Sequence, residues 1–210
     1  EKLKDIQVQA ETRFQVGKDL FALGRDHEAL DILHKANAQL AKFDNQEHWT
    51  AAIENTIGQI HFRNQDFKTA IIHYEKAANQ RHKIHDFYEE SNCLSNLGIC
   101  WLKLGNLEKA RECYERPLAY AKGNAVEECE LSIYLADLYC CSDEFSAALA
   151  TLNKVNSKRA KWSHKKGLSA RLSHMLGYVT FKMGQHENSE RYLKEAVEIW
   201  KAQNGASIDI

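Results

Sequence analysis

The sequence predicts an all-α, right-handed solenoid of about five antiparallel helix pairs, and three observations lead to this fold class. The chain has 210 residues but only one proline and ten glycines, so little of it is suited to long loops. A hydrophobic fraction of 44% is sufficient for a substantial core. A pattern of small and large residues also recurs five times with a period of about 40 residues, which is typical of stacked two-helix modules.

The repeat is defined by offsets from a small reference residue. After Gly98, Trp101 follows at +3, Gly105 at +7, Ala110 at +12 and Tyr114 at +16. The same offsets recur after four other residues, with spacings of 41, 40, 38 and 41 between successive reference residues. The five reference residues are Gly17, Gly58, Gly98, Ala136 and Gly177. The repeats are therefore expected at approximately residues 10–43, 51–84, 91–123, 129–156 and 170–203, in a single array over residues 1–210.

Each offset predicts one part of a helix pair. The small residues at the reference position and at +12 are expected to let the two helices approach backbone to backbone, with large residues at +3 and +16 beside them. The residue at +7 should end the first helix, because Gly24, Gly105 and Gly184 adopt the left-handed cap conformation without a Cβ penalty. A short polar turn and an amphipathic second helix follow. Each pair must then bury its remaining apolar face on the next pair.

The proline interrupts this pattern in the third repeat. Pro117 stands at +19, where the other copies carry alanine or valine. Within a helix it removes the hydrogen bond to the carbonyl of Cys113, at a cost of about 3 kcal/mol. We therefore expect a kink in the second helix of repeat three.

The offset series resembles the tetratricopeptide repeat, and the resemblance covers nearly the whole chain. The common form has a period of 34 residues, so the longer period here predicts about one extra turn per helix. Long repeats of this kind are similar to those of kinesin light chains, Pins-like spindle-orientation adaptors and the repeat proteins of the outer-dynein-arm docking complex. The resemblance implies a binding scaffold. Because the chain starts at Glu1 without methionine, we expect a fragment of a longer protein.

The resemblance also implies a binding groove. In such proteins the first helix of each pair forms the concave wall, with ligand contacts at −6, −3, −2, +1, +4 and +5 from the reference residue. Asn96 is of special interest, because an amide can donate to and accept from a peptide backbone at once. The groove residues expected here are Lys18, Asn55, Gln59, Phe62, Arg63, Asn92, Ser95, Asn96, Lys103, Arg171, His174 and Tyr178, with Phe21, Leu102, Glu130, Tyr134, Asp137 and Lys182 at equivalent positions.

Charge is unevenly distributed although the net charge is only −1. Residues 123–153 contain six acidic residues and no lysine or arginine, whereas residues 145–186 contain eight basic residues and no acid. Two interpretations stay open for this basic segment: a solvated helix end that pairs with its acidic neighbour, or a docking patch for an acidic partner. We define the basic patch as Lys154, Lys158, Arg159, Lys161, Lys165 and Lys166.

Enzymatic chemistry is not indicated. His82 and His85 share a helix face beside Asp86, but zinc sites use three or four clustered ligands and this segment is interpreted as a polar junction between repeats. No nucleophile-elbow, Walker or HExxH motif is present in the sequence. The six cysteines form no CxxC pair and are interpreted as free thiols of a reducing cytoplasm. We expect no catalytic residue, no metal and no cofactor.

The sequence thus favours a non-catalytic scaffold for protein or peptide partners, acidic or cytoskeletal in character, in the cytoplasm or at the cytoskeleton or cilium. One alternative is an architectural component of a cytoskeletal or ciliary assembly. Another is nucleic-acid binding through residues 154–171, where Trp162 lies among basic residues, although stacking platforms normally need several exposed aromatic side chains. Partners of membrane or small-molecule type are not expected.

Overall fold

The computed structural model of the chain describes residues 2–43, 46–162 and 164–204, and all regular structure in these ranges is helical. The first and second helices of the repeats alternate along the chain. The α-helices in the described ranges are α1 Lys2–Ala22, α2 Asp26–Leu40, α3 Glu47–Arg63, α4 Phe67–Lys83, α5 Phe87–Lys103, α6 Leu107–Tyr120, α7 Ala125–Cys141, α8 Phe145–Asn156, α9 Lys166–Lys182 and α10 His186–Asn204, with a short 3-10 helix at Arg159–Lys161.

The chain divides into two compact units, residues 1–110 and residues 111–210. In the first unit, α1 packs on α2, α2 on α3, α3 on α4 and α4 on α5. In the second unit, α7 packs on α8, α8 on α9 and α9 on α10, while α7 also contacts α9. Each helix pair therefore packs on the next one within its unit. This is the order expected for an all-α solenoid of helix pairs, and that fold class is confirmed.

The side chain at +16 explains why the reference residue is small. A Cβ atom added to Gly58 would lie 2.8 Å from the ring of Tyr74, and one added to Gly17 would lie 2.7 Å from the Leu33 side chain. The hydroxyl of Ser189, at +12, donates to the carbonyl of Gly177 at 2.9 Å, so this small residue also meets the first helix. The large residue at +16 thus packs directly over the glycine rather than beside it.

Every first helix is followed, two residues after its last residue, by a left-handed residue at +7. Gly24, Gly105 and Gly184 have φ of 76°, 76° and 74°, as the sequence predicts. Gln65 and Asp143 occupy the same position in the other two repeats with φ of 61° and 57°. A non-glycine residue in this conformation costs roughly 1–2 kcal/mol. The packing of the repeat therefore imposes the turn even where glycine is absent.

Side-chain caps begin several of the following helices. Asp66 accepts a hydrogen bond from the backbone N–H of Thr69 at 3.2 Å, and Asn124 accepts one from Glu127 at 3.3 Å. Asp86 and Asn106 make the same contact at the start of α5 and α6. Such a cap satisfies a backbone donor that has no partner within the helix. The polar turns of the sequence thus fix where these helices start.

The cores contain residues that the sequence leaves ambiguous. Trp162 is 0% exposed and packs in the second unit with Cys129, Ile133, Leu168 and Leu172. Four of the six cysteines are buried, namely Cys93, Cys100, Cys113 and Cys129. Burial raises the pKa of Cys93, Cys100 and Cys129 to about 12, so these thiols stay protonated and pack as small apolar groups.

Pro117 lies inside α6, three residues before the helix ends. Its carbonyl accepts a hydrogen bond from the N–H of Ala121 at 2.9 Å, so the backbone pairing resumes after the proline. Proline itself has no N–H to donate to the preceding turn. The kink at this point stays a prediction.

Replacing Gly58 by alanine is expected to lower the free energy of unfolding by about 1–3 kcal/mol, because the added methyl group overlaps the enclosed ring of Tyr74. Gly167→Ala is the matched control, since its Cβ would meet only the Gln203 side chain at 3.6 Å. That control should be neutral or stabilising by up to about 1 kcal/mol. Urea unfolding followed by circular dichroism measures both; equal effects of the two substitutions would contradict this account of the repeat.

Candidate functional site

Amide side chains of neighbouring first helices meet in the first unit. The Nδ2 atom of Asn96, in α5, donates to the Oδ1 atom of Asn55, in α3, at 3.4 Å. Both residues are half-buried, as is Gln59 one turn further along α3. Each amide offers two N–H donors and two acceptor lone pairs. The Asn55–Asn96 pair uses one donor and one acceptor and leaves the others available to a peptide backbone.

The other expected groove residues of the first unit differ in exposure. Lys18 is exposed, with its Nζ atom 5.5 Å from the centre of the Phe14 ring. Phe62 is half-buried and packs edge-to-face on Phe67 with ring centres 5.5 Å apart. Lys103 is the exposed last residue of α5. Asn92 is half-buried and Ser95 is 9% exposed.

Arg63 is engaged in structural contacts. Its guanidinium forms an ion pair with Asp26, at the start of α2, and donates to the carbonyl of Phe21 at 2.8 Å. It also lies 3.9 Å from the centre of the Phe21 ring. Arg63 therefore ties the end of α3 to the turn between α1 and α2. Its substitution would alter the fold of this turn as well as any ligand contact.

In the second unit, α9 presents a basic and aromatic face. Arg171 lies 5.4 Å from the ring centre of Tyr134 in α7, and Lys182 lies 5.7 Å from that of Tyr178. His174 contacts Trp200 of α10 with ring centres 5.8 Å apart. Every exposed residue of α9 is basic or aromatic: Lys166, Arg171, His174, Tyr178, Phe181 and Lys182. This face suits a partner that carries acidic side chains.

Two members of the basic patch make structural contacts. The Nζ atom of Lys158 lies 2.5 Å from Oε2 of Glu128, and this hydrogen bond holds the pKa of Glu128 below its usual value. Arg159 pairs with Glu195 at 2.9 Å and donates to the Ser173 hydroxyl at 2.9 Å. The remaining members of the patch, Lys154, Lys161, Lys165 and Lys166, are exposed.

Trp162 cannot stack on a nucleic-acid base in this fold, because its side chain is 0% exposed. At the junction between repeats two and three, His82 Nδ1 lies 2.9 Å from Oε2 of the buried Glu90. Within residues 2–43, 46–162 and 164–204, no three His, Cys, Asp or Glu side chains are grouped so as to hold a metal ion. The described helices include none with the length and apolar character needed to cross a membrane.

A buried polar network in the first unit was missed by sequence reasoning. Glu54, in α3, is 7% exposed; it lies 2.6 Å from Nδ1 of His73, in α4, and accepts from Asn37, in α2, at 2.7 Å. Burial by itself raises the pKa of Glu54, but the hydrogen bond and charge of His73 outweigh it, so the pKa lies below its usual value. The signal in the sequence is a lone carboxylate between Ile53 and Ile57 of an apolar stripe.

Comparisons with known proteins agree with this architecture. Two family profiles, both described as tetratricopeptide repeat, match residues 49–123 and 170–206. The RNA polymerase-associated protein CTR9 of Caenorhabditis elegans is 35% identical over 81 residues, which are 38% of this chain and 6% of that protein. This chain thus spans a small part of the length of that relative.

Solved structures match over nearly the whole chain. BtubC (BKLC) from P. vanneervenii has a TM-score of 0.81 at 15% identity and covers 98% of this chain and 85% of its own. A putative kinesin light chain of P. anserina with TPR-like repeats has a TM-score of 0.72 at 16% identity, over 95% of this chain and 99% of its own. The Rap conjugation gene regulator of plasmid pLS20, in complex with the Phr* peptide, has a TM-score of 0.73 at 19% identity, and the match covers 95% of this chain and 55% of the Rap chain. At sequence identities this low, these structural matches show that the fold is shared.

Glu54→Gln is expected to lower the free energy of unfolding at pH 7 by about 1–3 kcal/mol, because it replaces the buried carboxylate that contacts His73 and Asn37 by a neutral amide. The folded-state pKa of Glu54 is below its usual value of 4.5, so the contribution of the carboxylate is complete above that value. It is lost as the pH falls through the folded-state pKa, and the difference between wild type and variant should shrink accordingly. Urea unfolding at a series of pH values measures this.

The matched control is Glu75→Gln, an exposed carboxylate of α4, which should change stability by less than about 0.5 kcal/mol. A difference between Glu54→Gln and wild type that stayed constant down to pH values well below 4.5 would contradict a charged Glu54 in the fold.

Proposed function

Because this chain belongs to the tetratricopeptide-repeat family, we propose that it is a non-catalytic interaction scaffold that binds a peptide or helical segment of a protein partner along its first helices. The observation that carries the proposal is the amide pair Asn55–Asn96, which links two adjacent first helices at 3.4 Å. Tetratricopeptide-repeat proteins act generally by protein recognition, and the fold of this chain supports that general role.

The chemistry of the amide pair suits a peptide backbone. An extended peptide carries one N–H donor and one carbonyl acceptor per residue, and an asparagine side chain can serve both. Half-burial of Asn55, Gln59 and Asn96 restricts their rotamers before a ligand arrives, which lowers the entropic cost of binding. The Rap regulator, a structure of the same fold, is described in complex with a peptide, which supports a peptide ligand here.

An acidic region of the partner is supported by the second unit. The exposed lysines of the basic patch, Lys154, Lys161, Lys165 and Lys166, precede or begin α9, whose exposed residues are all basic or aromatic. Exposed charges of one sign accelerate encounter with an oppositely charged partner more than they add to its affinity. We therefore assign steering of the acidic region to these lysines, and its contacts to Arg171, Tyr178 and Lys182.

A second candidate function is an architectural role in a cytoskeletal or ciliary assembly, and the kinesin light chain among the similar structures favours it. In that role the chain would dock permanently rather than capture a mobile peptide. Nucleic-acid binding has no stacking contribution from Trp162, because that side chain is buried, and would depend on the exposed basic residues of the segment. A cytoplasmic location stays a prediction from the cysteines of the sequence.

The amide site is tested with peptides selected from a phage-displayed random library against the 210-residue chain. The double variant Asn96→Ala with Gln59→Ala should weaken the selected peptides by about 10-fold or more, because two side chains that hydrogen-bond the peptide are removed. The double variant Asn79→Ala with Asn153→Ala is the control, since it removes two exposed amides from the second helices α4 and α8. Isothermal titration calorimetry measures the affinities. Peptides that bind the first variant as tightly as wild type would exclude this site.

The acidic docking region is tested with a labelled poly-glutamate peptide. Reversal of Lys161, Lys165 and Lys166 to glutamate should reduce its affinity several-fold, by about 10-fold at low salt, and should flatten the salt dependence of binding. Reversal of the exposed lysines Lys35, Lys68 and Lys83 in the first unit produces the same change of net charge and serves as control. Equal losses in both variants would mean that only net charge matters. Fluorescence anisotropy at several salt concentrations gives the answer.

A further inference from the structure

Histidines are concentrated in the second repeat. Five of the ten histidines lie between residues 48 and 85, a segment that covers most of α3 and all of α4. Imidazole is the side chain whose ordinary titration falls between about pH 5 and 8, so its contacts can change within that range. Two of these histidines, His48 and His61, lie near opposite ends of α3, and each contacts α4.

His61, near the end of α3, stacks on His73 of α4. The two imidazole rings are nearly parallel, with an interplanar angle of 2° and ring centres 5.5 Å apart. Both side chains are largely withdrawn from water, with 22% of His61 and 13% of His73 exposed. A proton on each ring would place two positive charges side by side where water screens them poorly. The stack therefore opposes double protonation.

The surrounding charges act unequally on the two rings. Glu54 lies 2.6 Å from Nδ1 of His73, whereas Asp66 lies 3.5 Å from Nδ1 of His61, so the carboxylate contact is closer on the His73 side. Burial and the neighbouring His73 hold the pKa of His61 below its usual value of 6.5. The titratable groups that act on this cluster from α2, α3 and the α4 segment are His34, Glu54, Asp66 and Lys76.

The sign of the pH effect follows from the lowered pKa of His61. The unfolded chain takes up a proton at this residue near pH 6.5, before the folded chain does. The contribution of the stack to stability is therefore complete above that value and is lost as the pH falls through the folded-state pKa of His61.

At the other end of α3, His48 accepts a hydrogen bond from Arg81 of α4. The Nη1 atom of Arg81 lies 2.7 Å from Nδ1 of His48 and 2.8 Å from Oδ2 of Asp86, the residue that caps α5. A guanidinium only donates, so Nδ1 of His48 carries no proton in this contact. Arg81 is 5% exposed. Protonation of Nδ1 would remove an acceptor from a buried guanidinium and set an imidazolium against it.

The histidine contact between α4 and α5 has the opposite character. Nδ1 of His82 lies 2.9 Å from Oε2 of Glu90, which is 0% exposed in α5. A protonated imidazole still donates to a carboxylate, so acid preserves this contact. The acid-sensitive histidine contacts are thus those that join α3 to α4.

α3 also carries two amides of the proposed peptide site. Asn55 and Gln59 lie between His48 and His61 on this helix, and Asn55 meets Asn96 of α5 at 3.4 Å. That distance is already longer than the usual range of N–H···O hydrogen bonds, so a small displacement of α3 breaks the contact. The position of α3 on α4 therefore decides whether the amides stand together.

We propose that the α3–α4 pair is a pH-sensitive element, in which acidification protonates His48 and His61, loosens α3 from α4 and weakens peptide binding at the amides. The loosening follows from the histidine contacts alone and is measured without a peptide. The loss of peptide affinity rests on the proposed function.

Hydrogen–deuterium exchange of the 210-residue chain at about pH 7.5 and about pH 5.5 measures the loosening. Protection factors correct for the intrinsic pH dependence of amide exchange. In α3 and α4 they should fall about 10-fold at the lower pH, because two contacts of this helix pair are lost. The double variant His48→Asn with His61→Phe should keep its protection. Asparagine retains an acceptor for Arg81, phenylalanine retains a stacked ring, and neither titrates in this range.

His27→Asn with His164→Asn is the matched control, since it removes two exposed histidines that lie outside α3 and α4. This control should lose protection in α3 and α4 as wild type does. His61→Gln replaces His61→Phe if circular dichroism shows that the phenylalanine variant is not folded. Wild-type protection that is independent of pH overturns the proposal, and so does an equal loss in the His48 and His61 double variant.

Isothermal titration calorimetry tests the link to binding, with selected peptides that lack histidine, aspartate and glutamate. At about pH 5.5 wild type should bind them about 3-fold to 10-fold more weakly than at about pH 7.5, whereas the His48 and His61 double variant should bind them equally at both. Affinity that is independent of pH, with Asn96→Ala and Gln59→Ala still weakening binding, overturns the pH coupling and leaves the proposed function intact. Peptides indifferent to those two substitutions overturn the proposed function, and the exchange experiment still decides the loosening.

Discussion

The fold depends on the close contact between the small reference residue of a first helix and the large side chain at +16 of the second, as at Gly17, Gly58 and Gly177. In the second repeat the ring of Tyr74 occupies the space where a Cβ of Gly58 would stand, at 2.8 Å. This contact fixes the distance and rotation between the two helices, because a ring or leucine side chain inserted over a bare backbone fits at one position along the helix. Helix pairs with this fixed geometry then pack on one another. Because protein interiors are close-packed, one added methyl group at this contact is expected to change the stability of the fold.

The sequence predicts the features that all repeats share. It does not predict contacts that occur in one repeat only. Helix pairing and the left-handed turn at +7 follow from the recurring offsets. The same turn at Gln65 and Asp143 follows only from the packing, because neither residue prefers it. The engagement of Arg63 with Asp26, 37 residues earlier, and the burial of Trp162 beneath a basic segment depend on long-range contacts. Composition around Trp162 therefore suggests exposure, and tertiary packing gives the opposite.

The two units present different chemistry on equivalent helices. In the first unit, half-buried amides lie at the positions next to the reference glycine, and Asn55 and Asn96 are already hydrogen-bonded to each other. In the second unit, α9 carries His174 and Tyr178 at the positions equivalent to Asn55 and Gln59, and Arg171 lies about one turn before His174. Amide side chains hydrogen-bond the backbone, which every peptide has, whereas cations and aromatic rings contact particular side chains. In the proposed function, the first unit therefore supplies contacts to a peptide backbone, and the second unit supplies contacts to acidic side chains.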